Sequence, residues 1–302
     1  MELTLAAVQM ESVPYEVDEN LLKAEKSIQK AAEQGARVAV LPELFNTGYC
    51  YDVRNFRVGE SLWERTGRWF REMGKRFGLY VAGTMIEKDR GRFYDTMVLA
   101  TPEGRLARYR KLNLYLLEKC YFSRGDHPLI LDTPIGRIGT GICVDLLFRK
   151  IWDRYRNRVD LLLVSSAWPD LTRGGGIGKG NRINRRLSML PRELPGRLAE
   201  ALGVPVVYAN LCGRLVSPLP FLPPFRMESR FVGASAIYAG GGERIGDAGV
   251  EEGIVVRTVR LGEGGEGTGR YRVEPLARAM TRLDRMVMTV PCSFYRLRHR
   301  PR

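Results

Sequence analysis

Three residues of different chemical type each close an apolar, strand-like run: Glu43 in LPELFNTGY, Lys111 in RYRKLNLY and Cys143 in GTGICVDLLF. Strand ends are where α/β folds place their sites. A cysteine is nucleophilic only as thiolate, so it needs a base or a cation beside it. Histidine usually fills that role, but the chain has only two, His127 and His299, and the second belongs to a basic tail read as disordered. Glu43 would then be the base, its pKa raised if it is buried. Lys111 would stabilise negative charge on the attacked atom, beside the backbone N–H groups that follow Cys143. A second carboxylate, Glu118 in LLEKCYFSRGD, comes in the loop after Lys111. Each residue also has an ordinary structural role: Cys143 as a small buried hydrophobe, Glu43 as a surface carboxylate, Lys111 as a solvated charge, Glu118 as a partner for Arg124. Spacing alone leaves both sets of roles open.

For these residues to meet, several strands must end at a common edge. Residues 3–10 (LTLAAVQM) read as a strand, and residues 19–34 as a helix with apolar Leu21, Leu22, Ile28, Ala31 and Ala32, closed by Gly35. RVAVL (37–41) forms a second strand that stops at Pro42, which completes a βαβ unit. The same punctuation recurs: a helix over 62–77 ended by Gly78, the strand LYVAGTMI, a turn at 89–91, the strand FYDTMVLAT, a turn at 102–104 and the strand RLARYRK. The run Ile138–Ile142 enters Cys143 as a strand, and 146–155 reads as a helix start. LLLVSSAW (161–168) has the apolar character of a strand buried on both faces. A helix over 193–202 ends at Gly203, and VPVVYAN is a strand. SPLPFLPPF (217–225) reads as a proline-rich loop, with final strands at 233–238 and 253–259. No linker divides the chain. The pattern is one α/β domain, residues 1–275, with helices over two sheets, and a C-terminal extension, 276–302.

Composition narrows the function classes. Hydrophobic content of 44% and charged content of 27% over 302 residues are those of a globular protein. No apolar run reaches membrane-spanning length, and the N-terminus alternates like a strand rather than carrying the basic start of a signal peptide. Five scattered cysteines without a CxxC pair argue against a disulfide framework and a zinc site, and they fit a reducing cytoplasm. The net charge of +14 is the oddity. It is spread widely, is densest in YRLRHRPR (295–302), and comes with no nucleic-acid-binding motif, which argues against nucleic acid as the main partner.

The blocks LPELFNTGY, YRKLNLY with EKCYFSRGD, and GICVDLLF resemble, in order, the three signature blocks of the nitrilase, or carbon–nitrogen hydrolase, superfamily. The flanking LTLAAVQM, LLLVSSAW, VPVVYANLCG and FVGASAIYAGG resemble it too, so the likeness covers roughly residues 3 to 260. It implies a four-layer α-β-β-α sandwich and a Glu43–Lys111–Cys143 triad, with Glu118 positioning the lysine or the substrate and the N–H of Val144 helping to hold an oxyanion. It implies hydrolysis of a small amide or carbamoyl substrate through a cysteine thioester, with no metal or organic cofactor. Nitrile hydrolysis and a catalytically silent binding protein of the same fold are the alternatives. It also implies a homodimer or higher homo-oligomer, with the C-terminal extension reaching a neighbouring subunit. Asn113 and Val144 depart from many members, which have histidine and an aromatic residue there; both bear on substrate fit.

Other signals are weaker. GGGIGKGN resembles a phosphate-binding loop but has Arg173 and Gly180 where that motif needs glycine and a hydroxyl residue, so the segment reads instead as a lid. GASAI (233–237) is not a serine-nucleophile elbow. Tyr49, Tyr51 and Trp168 fall just past strand ends, and Tyr49 and Trp168 are candidates for lining the acyl pocket. Arginines in 173–197 would suit a carboxylate-bearing substrate, or form a solvated basic face.

Overall fold

Alternation in the first strand, β1 (Glu2–Gln9), sets the layering. Leu3, Leu5 and Ala7 point to one side and Ala6 and Val8 to the other, so both faces of its sheet are covered. The computed structural model describes residues 1–172, 181–273 and 275–300.

The sheet containing β1 also holds β2 (Val38–Val40), β3 (Tyr80–Asp89), β4 (Arg92–Ala100), β5 (Leu106–Arg110) and, from far along the chain, β14 (Gly253–Arg260). The order is β14-β1-β2-β3-β4-β5, with β1, β2 and β3 parallel. The second sheet holds β6 (Ile130–Thr133), β7 (Gly136–Ile142), β8 (Leu161–Ser166), β9 (Val206–Asn210), β12 (Ala236–Tyr238) and β13 (Arg244–Asp247). Its order is β13-β12-β9-β8-β7-β6, with β7, β8 and β9 parallel. The sheets face each other, β1 across from β9 and β12 and β4 across from β7. Helices α1 (Val17–Glu33) and α3 (Arg65–Phe77) cover the outside of the first sheet, with Leu21, Ala24, Ile28, Phe70 and Met73 buried beneath them. Helix α5 (Arg182–Leu202) lays Leu190, Leu194 and Leu198 against the second sheet at β9 and β12. The result is the expected α-β-β-α sandwich. The one-turn helices α2 (Asn55–Val58) and α4 (Arg149–Trp152) lie in connections, and α6 (Pro275–His299) closes the described chain.

Turn chemistry explains the sharpest reversal. β3 and β4 are joined by the two residues Arg90 and Gly91, with φ of 46° and 69°. Positive φ at both central positions matches the twist of the flanking strands, and glycine at the second relieves the strain.

Several expectations need correcting. Helix α5 begins at Arg182, not near 193, and contains Pro191 and Pro195. The Asn181 side chain caps it by accepting from the Asn184 N–H at 2.7 Å, and the apolar face outweighs what two prolines cost. The proline-rich 217–225 stretch is not a loop but part of a separate hairpin, β10 (Arg214–Leu219) and β11 (Leu222–Arg230). A two-stranded ribbon has free edges on both sides, where a missing N–H is tolerated. After Cys143 the chain forms a 3-10 turn, Cys143–Leu147, that breaks at Phe148 before α4, rather than one continuous helix. Strands β6 and β13, short and bordered by charge, escaped the sequence reading.

The C-terminus corrects two more. Cys120 and Cys292 form a disulfide across 172 residues, with Cα atoms 4.1 Å apart, which a scatter of single cysteines did not announce. His299 ends a helix and stacks on Tyr295, so that part of the tail is ordered. Helix α6 is bound to the 3-10 turn Leu116–Cys120: Asp284 pairs with Lys119 at 2.6 Å and accepts from the Leu116 N–H at 3.0 Å. The glycine-rich 173–180 segment, read as a lid, lies outside the described residues.

Candidate active site

The ends of β2, β5 and β7 deliver Glu43, Lys111 and Cys143. Glu43 follows β2, and its N–H donates to the carbonyl of Ser166 at the end of β8, 3.1 Å away. The next residue, Leu44, has a φ of 47° and donates its N–H to Thr84 Oγ1 at 2.7 Å. This bend holds Glu43 at the seam between the sheets. Lys111 follows β5, and its N–H donates to the Asp95 carbonyl of β4 at 2.9 Å. Glu118 sits on the 3-10 turn that α6 braces.

The side chains converge on the lysine. Lys111 Nζ lies 2.5 Å from Glu43 Oε1, 2.6 Å from Glu118 Oε1 and 3.3 Å from Asp95 Oδ2, and all four residues are buried. Three carboxylates around one ammonium would leave two uncompensated charges if all were ionised, which a buried site resists. Glu43 takes the consequence. Burial, then the neighbouring Asp95 and Glu118, push its pKa well up against the pull of Lys111. Burial disfavours the Lys111 charge, but the carboxylates outweigh it and the ammonium is held firmly protonated. The oxygens of Glu43, Asp95 and Glu118 are close enough together to hold a metal ion, but the ammonium already stands among them and supplies the positive charge.

Cys143 follows β7 and opens the 3-10 turn in a left-handed conformation, φ 45°. Burial and the Glu43 charge raise its thiol pKa well above the ordinary cysteine value, with Lys111 opposing. The thiol is therefore protonated at rest and needs a proton acceptor to become a nucleophile. Asp145 holds the turn in shape. Its Oδ2 accepts from the Ile142 N–H at 3.0 Å and the Tyr109 hydroxyl at 2.7 Å, and its Oδ1 accepts from Asn113 Nδ2 at 2.9 Å. The Trp152 indole donates to the Asp145 carbonyl at 2.9 Å, and its ring fills the space where a Cβ on Gly141 would stand. Val144 is the second residue of the 3-10 turn that Cys143 opens, and the first N–H groups of any helix have no acceptor within it.

Of the residues singled out in the sequence, Glu43, Lys111 and Glu118 come into direct contact, and Cys143 lies within their field. Tyr49 does not simply wall a pocket: its hydroxyl donates to Glu118 Oε1 at 2.6 Å and lies 3.1 Å from that of Tyr51. Trp168 packs in the apolar cluster that includes Cys143 and Val144, fixed by its N–H donating to Asn210 Oδ1 at 2.8 Å. Glu118 is not paired with Arg124, whose Nε donates to the Leu112 carbonyl instead. Asp95 was missed. Its signal was a carboxylate in the middle of the apolar strand FYDTMVLA, a position that demands a buried partner.

With this geometry in place, a family model described as carbon-nitrogen hydrolase matches residues 4–267. Among curated proteins, a nitrilase of Pyrococcus abyssi is 36% identical over 148 residues, 48% of this chain and 56% of that protein. An omega-amidase of Bos taurus is 35% identical over 187 residues, 57% of this chain and 65% of that protein. The chain thus spans less than two thirds of the length of these relatives. Among solved structures, an amidase from Nesterenkonia sp. AN1 superposes with a TM-score of 0.68 at 24% identity, covering 84% of this chain and 92% of that one, and shares the fold.

Proposed function

The chain belongs to the carbon–nitrogen hydrolase family, and from that premise we propose that it hydrolyses the C–N bond of a small amide or carbamoyl substrate through a thioester on Cys143. The observation that carries this reading is the buried ammonium of Lys111 held between Glu43 and Glu118 beside a cysteine in a left-handed turn.

Glu43 takes the thiol proton as sulfur attacks the carbonyl carbon. The resulting oxyanion is held by Lys111 and the Val144 N–H. Glu43 returns the proton to the departing nitrogen, which leaves as ammonia or amine, and a thioester remains. Water, losing its proton to Glu43, attacks the thioester; the acid departs and the thiolate regains its proton. Glu118 keeps Lys111 in place, with Tyr49 steadying Glu118. Asp95 adds negative charge beside Glu43 and tunes its basicity. Every charge the reaction develops is met by a group of this chain, so the cycle runs without a metal or cofactor.

The experiment is ammonia release across a panel of short amides, ureido acids and nitriles, with Cys143→Ala as control. Amide or ureido turnover that the variant lacks supports the proposal; turnover that survives in Cys143→Ala overturns it. The similarity to a nitrilase keeps nitrile hydrolysis as a second reading, which the nitrile arm decides.

The same proposal extends to assembly and setting. Leu283, Met286, Val287, Val290, Phe294 and Leu297 form an exposed apolar stripe along α6, which a second copy of the chain would cover. No helix among the described residues is long and apolar enough to cross a membrane. A cytoplasmic setting now rests on the three free cysteines, Cys50, Cys143 and Cys212, with the Cys120–Cys292 bond enclosed in the interior.

A further inference from the structure

Between α6 and the body of the sandwich lies a cavity of about 500 Å³ whose charged lining is all positive: Arg92, Lys119, Arg124, Arg296 and Arg300. We propose that it binds a multivalent phosphate, a small phosphate ester or nucleotide. This inference is independent of the hydrolase reading.

Lys119 is neutralised by Asp284 at 2.6 Å. Arg124 spends its Nε on the Leu112 carbonyl, and Arg296 spends one Nη1 proton on the Phe122 carbonyl at 2.6 Å. These contacts orient the two guanidiniums without neutralising them. Among the described residues no carboxylate pairs with Arg92, Arg124, Arg296 or Arg300. Of the acids nearby in sequence, Asp89 pairs with Arg110, and Asp126 is exposed beside His127 and pairs with none of the four. Burial, and then the charges of Arg300 and Arg92, pull the Arg296 pKa down, so the guanidiniums repel one another as well as facing one cavity.

Four cations held together without a counter-charge cost energy in the free protein, and a bound anion recovers it. The number of charges selects the anion. A monocarboxylate would leave three of the four uncompensated, whereas a diphosphate brings about three and offers oxygens to several guanidinium forks at once. The volume is that of a small-ligand site. The cavity also explains the placement of the basic C-terminal sequence, which the catalytic site does not use: Arg296 on α6 and Arg300 just past its end, whose N–H donates to the Arg296 carbonyl, line the same cavity as Arg92 at the start of β4.

Isothermal titration of sodium pyrophosphate into the full chain tests this. One site per chain is expected, weakened as salt rises. Arg92→Gln combined with Arg296→Gln should weaken it at least about tenfold, since each lost guanidinium removes charge-assisted contacts. Arg300→Gln, at the end of the described chain, is the second variant should the double substitution fail to fold; it too should weaken binding severalfold. Absence of binding at millimolar pyrophosphate, or affinity unchanged in the variants, overturns the proposal. So does tighter binding of citrate than of pyrophosphate, or binding confined to long DNA or RNA.

Discussion

In the proposed cycle Glu43 has to lose a proton before it can serve Cys143, and its surroundings oppose that loss. Burial and two neighbouring carboxylates raise its pKa, so the base form appears only as pH rises through that raised value. The acid limb of the profile of kcat/KM against pH should follow it upward. Asp95→Asn removes one of the opposing negative charges at nearly constant shape. The limb should then move to lower pH, while a merely structural role would lower activity without moving it; pH-rate profiles of both proteins distinguish the two. The three strand-end residues and Glu118 were legible as types because each follows an apolar run with turn residues behind it. Asp95 was not, since its partner, Lys111, follows a neighbouring strand and the pairing exists only once the sheet has formed.

At the scale of elements, the turn that carries Cys143 is shaped by Asp145. Replacing it with alanine strands the Ile142 N–H, the Asn113 amide and the Tyr109 hydroxyl in a buried place. The expected cost is about 2–4 kcal/mol, read from chemical denaturation, and a loss below about 0.5 kcal/mol would deny Asp145 this role. Burial also pushes the Asp145 pKa up to about 6. A raised folded-state value means that the stabilising contribution is complete below the unfolded value of about 4 and is lost as pH climbs through about 6. Wild type should therefore lose stability relative to Asp145→Asn across that window. Strands such as LLLVSSAW were readable from composition, and the β3–β4 turn from its glycine. What sequence did not disclose was set by distant partners. Helix α5 extends back to Arg182 because an apolar face finds the second sheet, and the proline-rich hairpin forms because neither edge is needed.

The whole molecule ties its last helix to its site. Helix α6 reaches the Glu118-bearing turn through the Cys120–Cys292 bond, the Lys119–Asp284 pair and the Arg296 contact to Phe122. Its outer side carries the apolar stripe. Val290→Asp with Phe294→Asp should lower the mass seen by light scattering to that of one chain, while the inward contacts and the fold persist. A wild-type chain that is already monomeric would contradict the pairing proposal. The sandwich could be anticipated from alternating strands and helices, but the disulfide and the cationic cavity could not, because both join the C-terminal helix to segments far back along the chain.

The central claim is that Cys143 carries the acyl group and Glu43 takes the thiol proton. Intact-mass and peptide spectrometry of the wild-type chain, quenched in acid during turnover of a short-chain amide, tests this most directly. The acyl mass should sit on the peptide containing Cys143, be released by hydroxylamine, and be absent from Glu43→Gln, which has no carboxylate to take the thiol proton. An acyl group found on Cys50 or Cys212 instead, or wild-type turnover of the same amide with the thiol of Cys143 irreversibly blocked, would contradict it.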